Sequence, residues 1–261
     1  MSRRTVGGVD LWVEEGGRND GATLLLMHGL SGTGEIWHGV RDILNDRWPG
    51  RWIIPDMRGH GRSTHTSTYG IASHAADMAA LVAGAEDLHL AGHSMGGLVG
   101  ILLASGWFGV TPKAVVTVGV KVDWTDEERA GIAKLIDLPV RWFDSEHEAR
   151  ERFVLVTGLK GIVDPASDFP QTGIVEENGK WRLAADNRAA MVAYADTHDI
   201  YNAAHAPVVL ASGEHDRMVS VDAQRTLDRN AMELSGLGHN AHIEDPHAFW
   251  TLIADAAGVT P

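Results

Sequence analysis

The chain contains no cysteine among its 261 residues. This absence excludes disulfide bonds, a thiolate nucleophile and zinc sites built from cysteine. Basic residues are also scarce, since 22 Lys and Arg stand against 35 Asp and Glu and the formal net charge is −13. Because nucleic acids and anionic membranes repel an acidic surface, we expect neither as a partner.

Long membrane-spanning apolar runs are missing as well. The stretch Ser94–Pro112 carries no charge, but its several glycines favour a buried helix followed by a turn over a membrane span. No apolar region follows Arg3 and Arg4, so the N-terminus predicts no secretory signal. Together with the lack of cysteine, these features lead us to expect a cytoplasmic protein.

What the sequence does contain is a series of short apolar runs separated by longer segments of helical character. The runs are nearly continuous, which is typical of parallel strands buried on both faces of a sheet. We predict strands at Val9–Val13, Thr23–Met27, Trp52–Ile54, Leu88–Ala91, Ala114–Val118, Pro207–Ala211 and Ala231–Leu234. We predict helices at Ser73–Gly84, Gly97–Ser105, Val219–Asp228 and His247–Ala257. The alternation predicts an α/β fold, a mostly parallel sheet with helices on both faces.

The alternation stops between residues 123 and 205, where no series of apolar runs is visible. Thr125 and Glu128 have the spacing of a capping box at a helix start. The stretches DSEHEARERFVLV and DNRAAMVAYA also favour helices. We therefore predict a mostly helical insertion at 123–205, within a core domain formed by 1–122 and 206–261.

The motif GHSMGG at Gly92–Gly97 lies between a predicted strand and a predicted helix. A sharp strand-to-helix turn strains the backbone at Ser94, and side chains two positions to either side would collide, so glycine is needed there. Such a turn exposes the serine hydroxyl at the carboxyl edge of the sheet and points the helix N-terminus at it. Ser94 is therefore the candidate nucleophile.

A serine hydroxyl needs a base and an orienting carboxylate, which follow a nucleophile of this kind in the order Ser, acid, His. Asp216 is the candidate acid because it follows a predicted strand and a glycine turn; Glu214 and Asp222 are its rivals. His239 is the candidate base because its glycine-rich loop comes next, and His242 is the runner-up.

The intermediate of such a reaction also needs hydrogen-bond donors for its oxyanion. We expect one donor to be the Met95 N–H, just after the nucleophile, and the other to be the Leu30 N–H in the loop after the strand Thr23–Met27. A metal site at His239, His242 and Glu244 would need further ligands that the sequence does not place. We therefore expect no metal and no cofactor.

Large apolar side chains offer candidates for substrate binding. Trp124 and Trp142 lie in the predicted insertion, where they would line an acyl or ring pocket, and Met218 lies just after Asp216. Tryptophan is more often a core residue, so this preference rests on position alone.

As a set, these residues resemble the α/β-hydrolase superfamily, in its serine hydrolase branch with a helical cap. The matching segments are HGLSGTG at His28–Gly34, DMRGHGRS at Asp56–Ser63, GHSMGG at Gly92–Gly97, GEHDRMV at Gly213–Val219 and GLGHNAHIEDP at Gly236–Pro246. The resemblance implies an eight-stranded, mostly parallel sheet with a helical cap over the site. It also implies the roles given above for Ser94, Asp216, His239, Leu30 and Met95. The serine separates this chain from the dehalogenase and epoxide-hydrolase branches, which carry aspartate there.

The leading functional hypothesis is hydrolysis of a small carboxylic ester or lactone. One alternative is a carbon–carbon bond hydrolase of ring-fission dienoates, with Arg141, Arg150 or Arg152 holding the substrate carboxylate. Others are an incidental perhydrolase activity and a low-turnover ligand receptor on the same fold. The substrate class, the pathway and the oligomeric state are not fixed by these motifs.

Overall fold

Ten strands form two sheets in the computed structural model, which describes residues 1–260. They are β1 (Ser2–Val6), β2 (Val9–Gly17), β3 (Thr23–Met27), β4 (Arg51–Pro55), β5 (Leu88–His93), β6 (Ala114–Val118), β7 (Ile174–Glu177), β8 (Lys180–Leu183), β9 (Val208–Gly213) and β10 (Met232–Leu234). The main sheet has the order β1-β2-β4-β3-β5-β6-β9-β10, and β7 and β8 form a separate pair.

The strand directions bring the functional loops to one edge. β1 runs antiparallel to β2, and β2 antiparallel to β4. All later neighbours are parallel, so that Met27 at the end of β3 lies opposite Gly92 on β5. The loops after β3, β5, β6, β9 and β10 therefore leave the sheet at the same edge.

Helices cover both faces of the main sheet. The α-helices are α1 (His38–Arg47), α2 (Ile71–Leu81), α3 (Met95–Leu103), α4 (Asp126–Ile136), α5 (Glu146–Val156), α6 (Thr197–Asn202), α7 (Val221–Arg225), α8 (Ala241–Glu244) and α9 (Pro246–Ala257). Successive residues of a strand point to opposite faces. Leu24 and Leu26 accordingly pack with residues of α1 and α9, whereas Leu25 and Met27 pack with residues of α2 and α3. The prediction of an α/β fold with an eight-stranded, mostly parallel sheet and helices on both faces is confirmed.

Element boundaries agree best where the apolar run is buried on both sides. The predicted strands Thr23–Met27 and Ala114–Val118 have the observed bounds. β1 was not predicted, because this edge strand is mostly exposed and includes Arg3 and Arg4. The predicted helix Val219–Asp228 is shorter in the structure, where α7 covers only Val221–Arg225.

The segment 123–205 lies between β6 and β9 and contributes no strand to the main sheet. α4 and α5 both begin with the capping box that their sequences predict, Thr125 with Glu128 and Ser145 with Glu148. The segment also contains an antiparallel hairpin of β7 and β8, which was not predicted. The predicted helix in DNRAAMVAYA is a 3-10 helix over Asn187–Tyr194.

The turn of the β7–β8 hairpin carries a sequence signal that the prediction of a mostly helical segment did not use. Asn178 and Gly179 both have positive φ, 54° and 76°, as a two-residue turn of the primed type requires. Asn-Gly is the preferred sequence for such a turn, so the local signal was present.

We refer to residues 123–205 below as the inserted segment. No helix within residues 1–260 is long and apolar enough to cross a membrane.

Candidate active site

Ser94 lies at the turn between β5 and α3. Its backbone has φ 49° and ψ −114°, in a region that side chains other than glycine rarely adopt. The Ser94 N–H donates to the Val118 carbonyl at 2.9 Å, which ties the turn to the end of β6. The first residue of α3 is Met95, so the helix N-terminus lies directly beside the serine.

The glycines around Ser94 are required by close backbone packing. A methyl group on Gly92 would lie 2.5 Å from the carbonyl carbon of Gly96. A methyl group on Gly96 would lie 2.2 Å from the Met27 carbonyl oxygen. Both contacts are with backbone atoms that cannot move aside, so the motif allows α3 to pack against the ends of β3 and β5.

Asp216 and His239 form a hydrogen-bonded pair on the loops after β9 and β10. His239 Nδ1 and Asp216 Oδ2 lie 2.8 Å apart, and the Asp216 side chain is fully buried. The other carboxylate oxygen accepts the N–H groups of Met218 and Val219 at 2.8 and 3.0 Å. Because a carboxylate can only accept, Nδ1 of His239 carries the proton and Nε2 is left as a base.

Ser94 and His239 both contact the backbone at the end of β6. Gly119 follows Val118, the residue that binds the Ser94 N–H, and a methyl group on Gly119 would lie 3.0 Å from His239 Cε1. The Ser94 hydroxyl has no hydrogen-bond partner within residues 1–260. Catalytic hydrogen bonds are often long in an unliganded site and tighten when substrate binds.

The rival residues have other partners. Glu214 accepts from the Ser235 hydroxyl and the Gly236 N–H, so it braces the loop before the base. Asp222 forms an ion pair with Arg225 in α7. His242 is fully buried and neither of its ring nitrogens has a partner, which is a packing role.

A metal site is equally unsupported by the arrangement. Glu244 accepts the Gly238 N–H at 2.8 Å, and His239 is bound to Asp216. Within the described part of the chain, no three His, Asp or Glu side chains converge as metal ligands.

The two expected oxyanion donors lie on either side of the serine turn. A methyl group on Gly29 would lie 3.3 Å from Ser94 Cβ, so the loop before Leu30 contacts the serine. Among the described residues, neither the Leu30 N–H nor the Met95 N–H donates a hydrogen bond to the protein. Both donors are therefore available to a negatively charged oxygen near Ser94.

His28 stabilises the loop that carries Leu30. Its Nε2 accepts the Met57 N–H and its Nδ1 donates to the Gly29 carbonyl, both at 2.8 Å. These bonds define a neutral ring, and burial lowers the pKa of His28 against the opposing effect of the Gly29 hydrogen bond. A neutral His28 keeps positive charge away from this loop without loss of either contact.

The three candidates for substrate binding lie in different surroundings. Trp124 is half-buried beneath the Lys121 ammonium, which lies 4.9 Å from the ring centre. Trp142 lines a cavity of about 530 Å³ on the inserted segment. Met218 has an exposed side chain, and its backbone N–H binds Asp216 instead. The lining of the cavity that contains Trp142 includes neither Trp124 nor Met218.

Sequence reasoning missed Asn240, which follows the candidate base. Asn240 is buried, and its amide donates to the carbonyls of Thr157 and Gly158 at 3.2 and 3.3 Å. Those carbonyls lie just after α5, so Asn240 links the His239 loop to the inserted segment. The neighbouring position was the sole available signal, since no pattern predicts contacts over this separation.

Comparisons with known proteins agree with the fold. Residues 24–252 match the model of the alpha/beta hydrolase family. The magnesium-chelatase 30 kDa subunit of Rhodobacter capsulatus is 37% identical over 107 residues, which are 40% of this chain and 37% of that protein. Lipase LipV of Mycobacterium tuberculosis is 27% identical over 193 residues, 71% of this chain and 70% of the lipase.

A solved structure matches over nearly the whole length. The thioesterase domain from the curacin biosynthetic pathway is 20% identical and has a TM-score of 0.79, with 97% of this chain and 98% of that chain covered. At this identity the likeness concerns the fold. Because the family model spans most of the chain, the chain belongs to the alpha/beta hydrolase family.

Proposed function

We propose that the protein is a serine hydrolase that cleaves small carboxylic esters or lactones through an acyl-enzyme. The observation that carries the proposal is the 2.8 Å contact between His239 Nδ1 and the buried Asp216 carboxylate, beside the turn that presents Ser94. A buried carboxylate that holds an imidazole in one tautomer is the arrangement that activates a serine. The family membership adds support for hydrolysis in general.

In the first half-reaction, Ser94 Oγ attacks the carbonyl carbon while His239 Nε2 accepts the hydroxyl proton. The N–H groups of Leu30 and Met95 stabilise the resulting oxyanion. The intermediate collapses with cleavage of the bond to the leaving oxygen, which takes the proton from His239. An ester releases an alcohol at this stage, whereas a lactone keeps the new hydroxyl on the acyl group.

In the second half-reaction, water attacks the acyl-serine and gives a proton to His239. Collapse of the second intermediate returns that proton to Ser94 Oγ and releases the carboxylic acid. Asp216 stabilises the imidazolium that forms in both halves. No step needs a metal ion, so we expect EDTA to leave the activity unchanged.

The experiment is a screen of p-nitrophenyl acetate, p-nitrophenyl butyrate, γ-butyrolactone and a yellow ring-fission dienoate. We expect turnover of an ester or lactone, and we expect Ser94→Ala to lower kcat roughly 10³-fold or more. The matched control is Ser105→Ala, which makes the same change just after the other end of α3 and should retain activity. Wild-type turnover by Ser94→Ala on every accepted substrate would refute the mechanism.

The alternative of a carbon–carbon hydrolase needs a cation near the site for the dienoate carboxylate. Arg150 is engaged by Glu146 and Gln171. Arg141 and Arg152 line the cavity of about 530 Å³, whose lining includes neither Ser94 nor His239. No observation therefore favours this chemistry, and loss of the dienoate colour in the screen would reverse that ranking.

The receptor alternative differs from the enzyme in its kinetics. A low-turnover receptor would release one equivalent of p-nitrophenol and then remain acylated. An enzyme would continue at a steady rate after any burst. Stopped-flow measurement with p-nitrophenyl acetate separates the two outcomes.

A further inference from the structure

The ring of His93 lies between the loops that carry the proposed base and the proposed oxyanion donors. His93 directly precedes Ser94, and its side chain is buried. Its Nε2 lies 3.1 Å from the His239 carbonyl oxygen. The two rings meet edge to face with their centres 4.8 Å apart. One side chain thus connects the serine turn to the backbone of the base, 146 residues later in the chain.

The other sides of the ring are also occupied. A methyl group on Gly29 would lie 2.6 Å from His93 Nδ1, so the ring fills the space left by the glycine before Leu30. The centre of the His242 ring lies 4.4 Å from the centre of the His93 ring. In addition to its own loop, His93 therefore contacts the loop of His239 and the loop of Leu30.

The contacts define the charge and the tautomer of His93. A carbonyl oxygen only accepts, so the proton lies on Nε2, and Nδ1 is buried without a hydrogen-bond partner. Burial lowers the pKa of His93 well below the usual histidine value, and the neighbouring His242, His239 and His28 lower it further. The Nε2–H hydrogen bond to the carbonyl has the opposite, smaller effect. The ring is therefore a neutral donor throughout the working pH range.

We propose that His93 is a positioning residue, whose Nε2–H holds the backbone of His239 at a fixed distance from Ser94. This inference rests on the proposed roles of those two residues. His93 touches no reacting atom, so it acts through the placement of the base. A neutral ring suits this position, because His239 becomes positively charged when it takes the Ser94 proton and a second charge nearby would oppose that transfer.

The kinetic test compares two replacements of His93. His93→Phe keeps a ring but removes the donor, and His93→Gln keeps an N–H near the position of Nε2. We expect His93→Phe to lower kcat for p-nitrophenyl acetate about 10- to 100-fold, as misplacement of a catalytic group by about 1 Å does, with KM little changed. We expect His93→Gln to recover most of that loss.

The matched control is His89→Phe, which removes a buried imidazole from the other end of the same strand. His89 packs on Trp48 and binds Asp87, away from the loops of the site. His89→Phe should keep the wild-type kcat. All rates are compared per folded molecule, from circular dichroism of each variant. Equal rates for the wild type and a folded His93→Phe would overturn the proposal, and so would a folded His93→Gln as slow as His93→Phe.

A second measurement does not depend on turnover. In ¹⁵N-histidine NMR of the wild-type protein, His93 should be a neutral ring with the proton on Nε2, and this signal should persist at pH 6. In His93→Phe, the ring signals of His239 should broaden or split as the base loop loses its anchor. A proton on Nδ1 of wild-type His93 would overturn the proposal even if no variant folds. Absence of any hydrolysis by the wild type would end the proposed function, and the NMR result would still decide the role of His93.

Discussion

The sheet core and the inserted segment are built in different ways. Strands of the core such as β3 and β6 are buried along their whole length. In contrast, α4 has no buried residue, and Leu138, Val140 and Leu155 on the inserted segment have exposed side chains. The segment has its own small apolar cluster around Phe153.

The two regions make different contributions to the candidate site. Core loops supply Ser94, Asp216 and His239, which are held by close backbone packing. The inserted segment supplies none of these three side chains. It contacts the core through hydrogen bonds, such as Asn240 to Gly158 and Thr33 to Thr172, and through apolar side chains such as Val192 and Phe169. The proposed chemistry therefore rests on residues of the core.

The largest expected effect comes from a replacement of Asp216, the proposed acid, which lies in the core. In Asp216→Asn the amide presents an N–H to His239 Nδ1, which forces the ring proton onto Nε2 and removes the base. We expect kcat for an ester substrate to fall about 10⁴-fold with the fold intact. Asp222→Asn, on the surface of α7, is the control and should match the wild type. An Asp216→Asn enzyme within tenfold of wild type would show that the buried pair is not part of the mechanism.

The loss of stability at acidic pH is a second property that should depend on the core and not on the inserted segment. Burial lowers the pKa values of His28, His60, His74, His93 and His242, all of them in the core. The unfolded chain binds protons at these residues below pH ~6.5 and the native chain does not, so the stability falls as the pH falls. Each such imidazole removes about 1.4 kcal/mol per pH unit until its native pKa is reached, which for His74 is about 3.

This prediction is checked by thermal unfolding between pH 7.5 and pH 5. We expect a steep loss of Tm below pH 6.5 and little change above pH 7. His74→Phe, whose imidazole nitrogens have no partners, should make the dependence shallower. His147→Gln, exposed on α5 of the inserted segment, should leave it unchanged. A flat profile would mean that these rings are not buried in solution.

A smaller effect tests the link between the regions. Asn240→Ala removes the hydrogen bonds to the carbonyls of Thr157 and Gly158. We expect the unfolding free energy to fall by about 1–3 kcal/mol, because two hydrogen bonds of about 0.5–1.5 kcal/mol each are lost. We also expect a modest drop in kcat, because Asn240 follows the base. Thr172→Val, which removes the contact with Thr33, should affect stability without affecting kcat. A large effect of Thr172→Val on kcat would contradict the assignment of the proposed chemistry to the core.

The smallest effect is expected within the inserted segment. Gly131 lies inside α4, and a methyl group there would meet no atom within 4 Å. Gly131→Ala should raise the unfolding free energy by about 0.5–1 kcal/mol, because alanine loses less conformational freedom in a helix. Chemical denaturation measures this gain. The same change at Gly96 would clash with the Met27 backbone and serves as the opposite case.

The core was predictable because its signals are local and repeated. A continuous apolar run predicts β3, and the glycines around Ser94 predict the turn that the structure contains. The chain order of Asp216 and His239 identified two residues that the fold brings within hydrogen-bond distance. The strand and turn signals depend on a few neighbouring residues, and the order of Asp216 and His239 follows a known arrangement of such residues along the chain.

What the sequence did not predict depends on weaker or more distant relations. β1 is a mostly exposed edge strand with no apolar run. The hairpin of β7 and β8 is marked only by its turn, Asn178-Gly179. The bond between His93 and the His239 backbone joins two loops far apart in the chain. Such contacts follow from the packing of whole elements, which no local pattern contains.

The positive φ of Ser94 lowers the stability of the fold at the residue that we propose as the nucleophile. A serine in this conformation costs about 1–3 kcal/mol that glycine would not. In Ser94→Gly this free energy would be regained, and the proposed nucleophile would be lost. The positive φ of residue 94 therefore means that the hydroxyl at this turn is retained at the expense of stability.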